Sequence, residues 1–244
     1  MRGLEGRRAV VTGAADGIGA ATARRLHAEG VSLVAVDLNE AGLAALAADT
    51  GATTVVADVT AEDTPARIVA AAGGALDILV NNAGVVAQGG VADQPIDEFR
   101  RVQSVNVDAT FRITQACVPL LKASDQGRIV NIGSIMSTLA DVGNIAYAAS
   151  KHAVAGLTKS MALELGPFGI TANYVQPGAI VTGITRGPFE AMPEFAELWR
   201  KKAALGRLGQ PEDIANAIAF LVSADGAFVS GHGLVVDGGA LPRP

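Results

Sequence analysis

Residues 9–37 read AVVTGAADGIGAATARRLHAEGVSLVAVD, and the order of their parts decides the fold. A short β-prone run, Ala9 to Thr12, enters a turn built on Gly13, Gly17 and Gly19. An alanine-rich amphipathic helix follows and stops at Gly30, and a second strand-like run, VSLVAVD, ends in Asp37. The glycines permit a tight turn and let a pyrophosphate approach backbone N–H groups at the helix N-terminus, where the helix dipole favours negative charge. Asp37 lies about twenty residues beyond the glycines, where a dinucleotide-binding βαβ unit places a carboxylate on the adenosine ribose. The other reading of Asp37 is that it begins the turn into the next helix.

That carboxylate also bears on the choice between two dinucleotides. It accepts hydrogen bonds from the ribose hydroxyls of NAD and repels the additional phosphate of NADP. Leu38 and Asn39 follow it, and neither is basic. Asp16 stands in the glycine turn where an arginine or lysine would meet that phosphate. NAD is the expected cofactor.

Strand and helix go on alternating. A helix is expected from Glu40 to Ala48, then the apolar run TTVVAD ending in Asp58, a short helix around Pro65 to Ala72, and the strand LDILV, which delivers Asn81 to Gly84 (NNAG). Repeated βαβ units make a parallel sheet with right-handed crossovers, and ligands bind beyond its C-terminal edge. At 244 residues and 50% hydrophobic composition, the chain can bury one large core. The expectation is a single α/β domain, a doubly wound parallel sheet of the Rossmann type with helices on both faces.

The stretch Asn131 to Lys151, NIGSIMSTLADVGNIAYAASK, is where chemistry is expected. Tyr147 and Lys151 are four residues apart in a helix-forming run, so they share a face. Ser134 follows the strand-like RIVNI, and a strand-end hydroxyl can face the helix-borne phenol. A free phenol is a poor base near neutrality, and a neighbouring cation such as Lys151 lowers its pKa. A Tyr-x-x-x-Lys pair is common on helices, so the pair alone does not make a site.

Composition narrows the partners. Nineteen Lys and Arg stand against 24 Asp and Glu, a net charge of −5, with no dense basic cluster, so no nucleic acid is expected. No signal-like apolar segment opens the chain and no run of about 18 apolar residues suggests a membrane span. The expected location is cytoplasmic. The single Cys117 lies in an apolar helical pattern and reads as buried. His27, His152 and His232 are scattered, and no catalytic metal is expected.

Together these motifs resemble the short-chain dehydrogenase/reductase family: TGAADGIG (Thr12 to Gly19), NNAG, a serine, YAASK (Tyr147 to Lys151), Asn106 within SVNVDAT, and QPGAIVT (Gln176 to Thr182). The resemblance covers almost the whole chain, down to VVDGG at Val235 to Gly239. It implies that Tyr147 exchanges a proton with the substrate oxygen, that Ser134 orients that oxygen, and that Lys151 lowers the pKa of Tyr147 and binds the nicotinamide ribose. Asn106 would hold a water linking Lys151 to solvent, although an Asn in a long helix can also be a packing or kink residue. The same resemblance puts Gly13, Asp16, Gly17, Ile18, Gly19, Asp37 and Leu38 around the adenosine and pyrophosphate. Asp58 and Val59 would meet the adenine, and Asn81, Ala83 and Gly84 would line the cleft. Pro177, Gly178, Ile180 and Thr182 would lie at the nicotinamide end. The family's assemblies imply a homotetramer.

Two stretches depart from the family pattern or vary within it. The segment between Asp58 and Asn81 is short, with Gly73 and Gly74 curtailing its helix. Gly183 to Leu208 occupies the place of the substrate lid and carries Phe189, Met192, Phe195, Leu198 and Trp199. These residues either roof an apolar pocket or pack the lid onto its own domain. Met136 and Asn144, with Leu139 and Val142, are placed to shape the same pocket. Arg200, Lys201 and Lys202 either attract an anionic carrier or form a solvated face. The expected activity is NAD-dependent interconversion of a secondary alcohol and a ketone on an apolar aliphatic, alicyclic or aromatic substrate. The alternatives are a 3-oxoacyl carrier-protein reductase and a dinucleotide sensor without catalysis.

Overall fold

The computed structural model describes residues 1–241. Seven strands form one parallel sheet: β1 (Arg8–Thr12), β2 (Ser32–Asp37), β3 (Thr53–Val56), β4 (Ile78–Asn81), β5 (Arg128–Ile132), β6 (Thr171–Pro177) and β7 (Gly233–Val236). Their order is β3-β2-β1-β4-β5-β6-β7. The winding direction therefore reverses between β1 and β4, and a crevice opens there beyond the strand ends.

Strand alternation sorts the core into two layers. Ala9, Val11, Ala35, Val80 and Val130 point to one face, where they pack with Leu26 of α1 (Gly17–Ala28), Leu43 and Leu46 of α2 (Glu40–Thr50), and Ile214 and Ile218 of α9 (Pro211–Val222). Val10, Val34, Leu79 and Ile129 point to the other. There they meet Ile68 of α3 (Thr64–Ala71), Ile113 and Cys117 of α5 (Ala109–Ala123), and Met161 of α6 (Ile145–Leu165). Burial pushes the Cys117 thiol up to about 12, so it remains protonated and inert.

Among the described residues there are three further α-helices: α4 (Ile96–Gln103), α7 (Gly183–Ala191) and α8 (Pro193–Lys202). The helical run from α4 into α5 is interrupted. Residues Ser104–Asp108 form a π-helical turn between α4 and α5, and Asn106 lies inside it. Among the described residues no helix is long and apolar enough to cross a membrane.

Candidate active site

The glycine turn is shaped by contacts that only glycine allows. Gly13 and Gly17 have φ of +64° and +55°, the left-handed region open to glycine. A Cβ on Gly19 would collide with the Gly13 carbonyl oxygen. Asp16 caps α1, its carboxylate accepting from Gly17 N at 2.7 Å. Asp37 ends β2 with its carboxylate held by two backbone donors, Ala15 N at 3.0 Å and Asn39 N at 2.9 Å. The turn and the carboxylate are thereby one rigid piece.

The loop after β4 is stapled to that turn. Thr12 Oγ1 accepts from Asn82 N and Ala83 N at 3.0 and 3.1 Å, while Asn82 Nδ2 donates to the carbonyls of Thr12 and Gly13, each at 2.9 Å. Asn81 behaves differently from expectation. Its side chain does not line the cleft but is buried, donating to Thr114 Oγ1 and Asn131 Oδ1 at 2.9 Å each. Alternation along the strand turns Asn81 into the helical layer and leaves the cleft wall to Asn82.

Ser134, Tyr147 and Lys151 come together across the ends of β5 and α6. All three line one cleft of about 530 Å³, with Gly13, Asp16, Gly17, Ile18, Asp37, Ala83, Gly84, Pro177, Gly178, Ile180 and Thr182. Lys151 is 5% exposed; its Nζ donates to the Ile132 carbonyl at 2.7 Å and stands 5.5 Å from the centre of the Tyr147 ring. Burial lowers its pKa to about 8. The expectation that the lysine cation depresses the Tyr147 pKa needs correction here. Burial dominates and raises the phenol above its usual value, while a hydrogen bond from Ser134 acts the other way.

Asn106 does more than its motif suggested, and both of its side-chain donors are engaged. Its Oδ1 accepts from Val85 N at 2.9 Å; its Nδ2 donates to Val85 O at 3.0 Å and to Ser150 Oγ at 2.9 Å. Ser150 in turn donates to the Tyr147 carbonyl at 2.7 Å. The amide clamps the loop after Gly84 to the helix that carries Tyr147 and Lys151.

Other expected site residues stand outside this cleft. Gly19 lies beneath the turn, and Leu38 is 67% exposed beside Asp37. Asp58 Oδ1 accepts from the backbone and hydroxyl of Thr60 at 2.8 and 2.7 Å, and Val59 is buried in the core. Met136, Asn144, Phe189, Met192 and Trp199 do not line the cleft. Phe189 and Trp199 instead pack against Phe195, with ring centres 5.8 and 6.3 Å apart, across α7 and α8. Aromatic side chains that find partners within the lid have no need to turn into the pocket. In their place Val85, Val86, Ile184 and Thr185 line it. Val85 and Val86 directly follow NNAG, and that adjacency was the available signal.

A family model described as "Enoyl-(Acyl carrier protein) reductase" matches residues 13–240. The chain belongs to the short-chain dehydrogenase/reductase family. Among members of this family, the 3-oxoacyl-(acyl-carrier-protein) reductase of Vibrio harveyi is 36% identical over 97% of the chain and 98% of its own length. The trans-4-hydroxycyclohexanecarboxylate dehydrogenase of Sinomonas cyclohexanicum is 38% identical over 95% of the chain and 91% of its own length. A solved 3-ketoacyl-(acyl-carrier-protein) reductase from Brucella melitensis, complexed with NADH, superposes with a TM-score of 0.89 at 32% identity, covering 97% of this chain and 99% of that one. Members of the family bind nicotinamide dinucleotides, and the chain is an oxidoreductase of this type.

The residues present fit such a cofactor. The glycine turn offers a cradle that a Cβ would fill, α1 opens at the cleft, and a backbone-held carboxylate stands at the end of β2.

Proposed function

We propose that this short-chain dehydrogenase/reductase interconverts an apolar secondary alcohol and its ketone with NAD. The reading rests chiefly on the meeting of Ser134, Tyr147 and Lys151 with the glycine turn and Asp37 in one cleft. Gly13, Gly17 and Ile18 would hold the pyrophosphate at the N-terminus of α1, Asp37 the adenosine ribose, and Lys151 the nicotinamide ribose. Ile180 and Thr182 would meet the carboxamide. Bound there, the nicotinamide supplies the hydride acceptor for oxidation or the donor for reduction.

The chain's own residues manage the proton. In oxidation, Tyr147 as phenolate takes the hydroxyl proton of the substrate while the carbon-bound hydrogen leaves with its electron pair. Ser134 donates a hydrogen bond to the substrate oxygen, and its hydrogen bond to the phenol acts toward the phenolate, against the burial that raises the Tyr147 pKa. In reduction, Tyr147 returns the proton. Tyr147→Phe should lower turnover on the order of a hundredfold or more with NAD affinity unchanged. Turnover near wild type with normal NAD binding would sink this assignment.

An apolar substrate is favoured by the rim of the cleft. Val85, Val86, Ile180 and Ile184 line it, and Val86 and Ile184 are exposed apolar side chains there. The second reading is a 3-oxoacyl carrier-protein reductase, the activity of several relatives. Against it, the basic run of α8 is answered locally: Arg200 and Lys201 lie 3.1 and 4.0 Å from Glu197, and Lys202 lies 4.6 Å over the Trp199 ring. A cytoplasmic homotetramer completes the proposal.

A further inference from the structure

The proton direction at Ser134 is set by a turn whose parts are all named in the sequence. β5 ends at Ile132, Gly133 follows, and Ser134, with φ −167° and ψ 166°, caps a single 3-10 turn, Ile135–Ser137. Ser134 Oγ accepts from Met136 N at 3.1 Å. The backbone of Ser134 is held at both ends by Ser137: Ser134 N donates to Ser137 Oγ at 3.2 Å, and Ser137 N donates to Ser134 O at 2.8 Å. Both serines are buried, at 7% and 5% exposed. Gly133 makes room for this bracket, because a Cβ there would lie 2.8 Å from Ser137 Oγ and 3.0 Å from the Tyr174 ring.

A hydroxyl has one hydrogen and two lone pairs. With one lone pair of Ser134 Oγ taken by Met136 N–H on the protein side, the hydrogen is left for the cleft side, where the Tyr147 phenol is its partner. Ser134 is then a donor to whatever oxygen occupies the cleft, as the proposed chemistry requires. The bracket depends on the hydroxyl of residue 137, since an alanine there leaves the buried Ser134 N–H without that acceptor. A turn that relaxes to find another acceptor carries Ser134 Oγ with it.

We propose that Ser137 is a positioning residue, which holds Ser134 as a hydrogen-bond donor to the substrate oxygen. This rests on the reading of Ser134 given above. Ser137→Ala should lower kcat for a secondary alcohol on the order of tenfold to a hundredfold, with the Kd and KM for NAD unchanged. Ser137→Thr, which keeps the hydroxyl, should restore most of the loss. A Ser137→Ala enzyme with wild-type kcat overturns the proposal, as does a folded Ser137→Thr enzyme that restores nothing.

A crystal structure of Ser137→Ala gives a reading independent of turnover and of whether threonine is accommodated. The expected result is that Ser134 Oγ has left Met136 N; Ser134 found in its original place overturns the proposal. If the wild-type protein turns over no alcohol or ketone, the function proposal fails, and this structure still decides the role of Ser137.

Discussion

Lys151 is an ammonium inside the protein, and its position carries a thermodynamic signature. Its folded-state pKa is lowered to about 8 from 10.5 by burial, so between those values the unfolded chain binds a proton there that the folded chain does not. Its contribution to stability therefore rises with pH through that window and is lost as pH falls through about 8. Lys151→Met should be more stable than wild type at pH 7, by at most about 3 kcal/mol, and the gap should narrow by about 1 kcal/mol at pH 9. Denaturant unfolding at the two pH values checks this, and a constant gap would contradict it. Asp37 carries a second residue-scale prediction. Replacing Asp37 by Ala together with Leu38 by Arg removes the carboxylate and adds a base beside it, so the ratio of kcat/KM for NADP over NAD should rise on the order of a hundredfold or more. An unchanged ratio would remove Asp37 from the ribose. Ser134, Tyr147, Lys151 and Asp37 were all visible in the sequence because each sits in a motif with fixed spacing. The partners of Asn81 and Asn106 were not, because strand alternation and a π turn decide them, and neither is written in the residue itself.

Among the elements, the joint between the glycine turn and the lid is the least expected. Asp16, the cap of α1, packs so closely on Gly183, the first residue of α7, that a Cβ on Gly183 would collide with its carboxylate. A Cβ on Gly17 would lie 3.2 Å from the Thr182 side chain. The start of the lid is thus seated on the proposed pyrophosphate turn. Thr182 and Thr185 fix that seat through a reciprocal cap, Thr182 N donating to Thr185 Oγ1 at 2.9 Å and Thr185 N donating to the Thr182 carbonyl at 3.2 Å, while Thr185 Oγ1 donates to the Ile180 carbonyl at 2.5 Å. Gly183→Ala should weaken NAD binding and lower kcat together, about tenfold or more in kcat/KM, whereas Gly187→Ala, with open space around it, should change neither. Calorimetric titration with NAD and steady-state rates separate the two variants, and equal effects would break the proposed link between turn and lid. The lid was recognisable from its apolar composition, but its two helices and the stacking of Phe189, Phe195 and Trp199 depend on contacts that periodicity does not encode.

Over the whole molecule, one sheet with two helical layers does two jobs. It buries the alternating apolar residues of β1, β2, β4, β5 and β6, and it brings the ends of β1, β2, β4 and β5 to one edge, where the cleft lies. The sequence pattern carried this architecture well, since strands ending in Gly13, Asp37, Asn81 and Ser134 leave little choice of edge. Ile218 on α9 is fully buried between α1 and the sheet; Ile218→Ala should cost about 2–5 kcal/mol while leaving the cofactor preference intact, as denaturant unfolding and NAD titration would register. The cleft is expected to carry NAD-dependent chemistry on apolar secondary alcohols. This is tested most directly by initial rates with NAD and with NADP across linear, alicyclic and aryl secondary alcohols and hydroxyacyl thioesters. Oxidation of the apolar alcohols with a clear preference for NAD is expected. Turnover of the thioesters alone, and only with the phosphorylated cofactor, would contradict it.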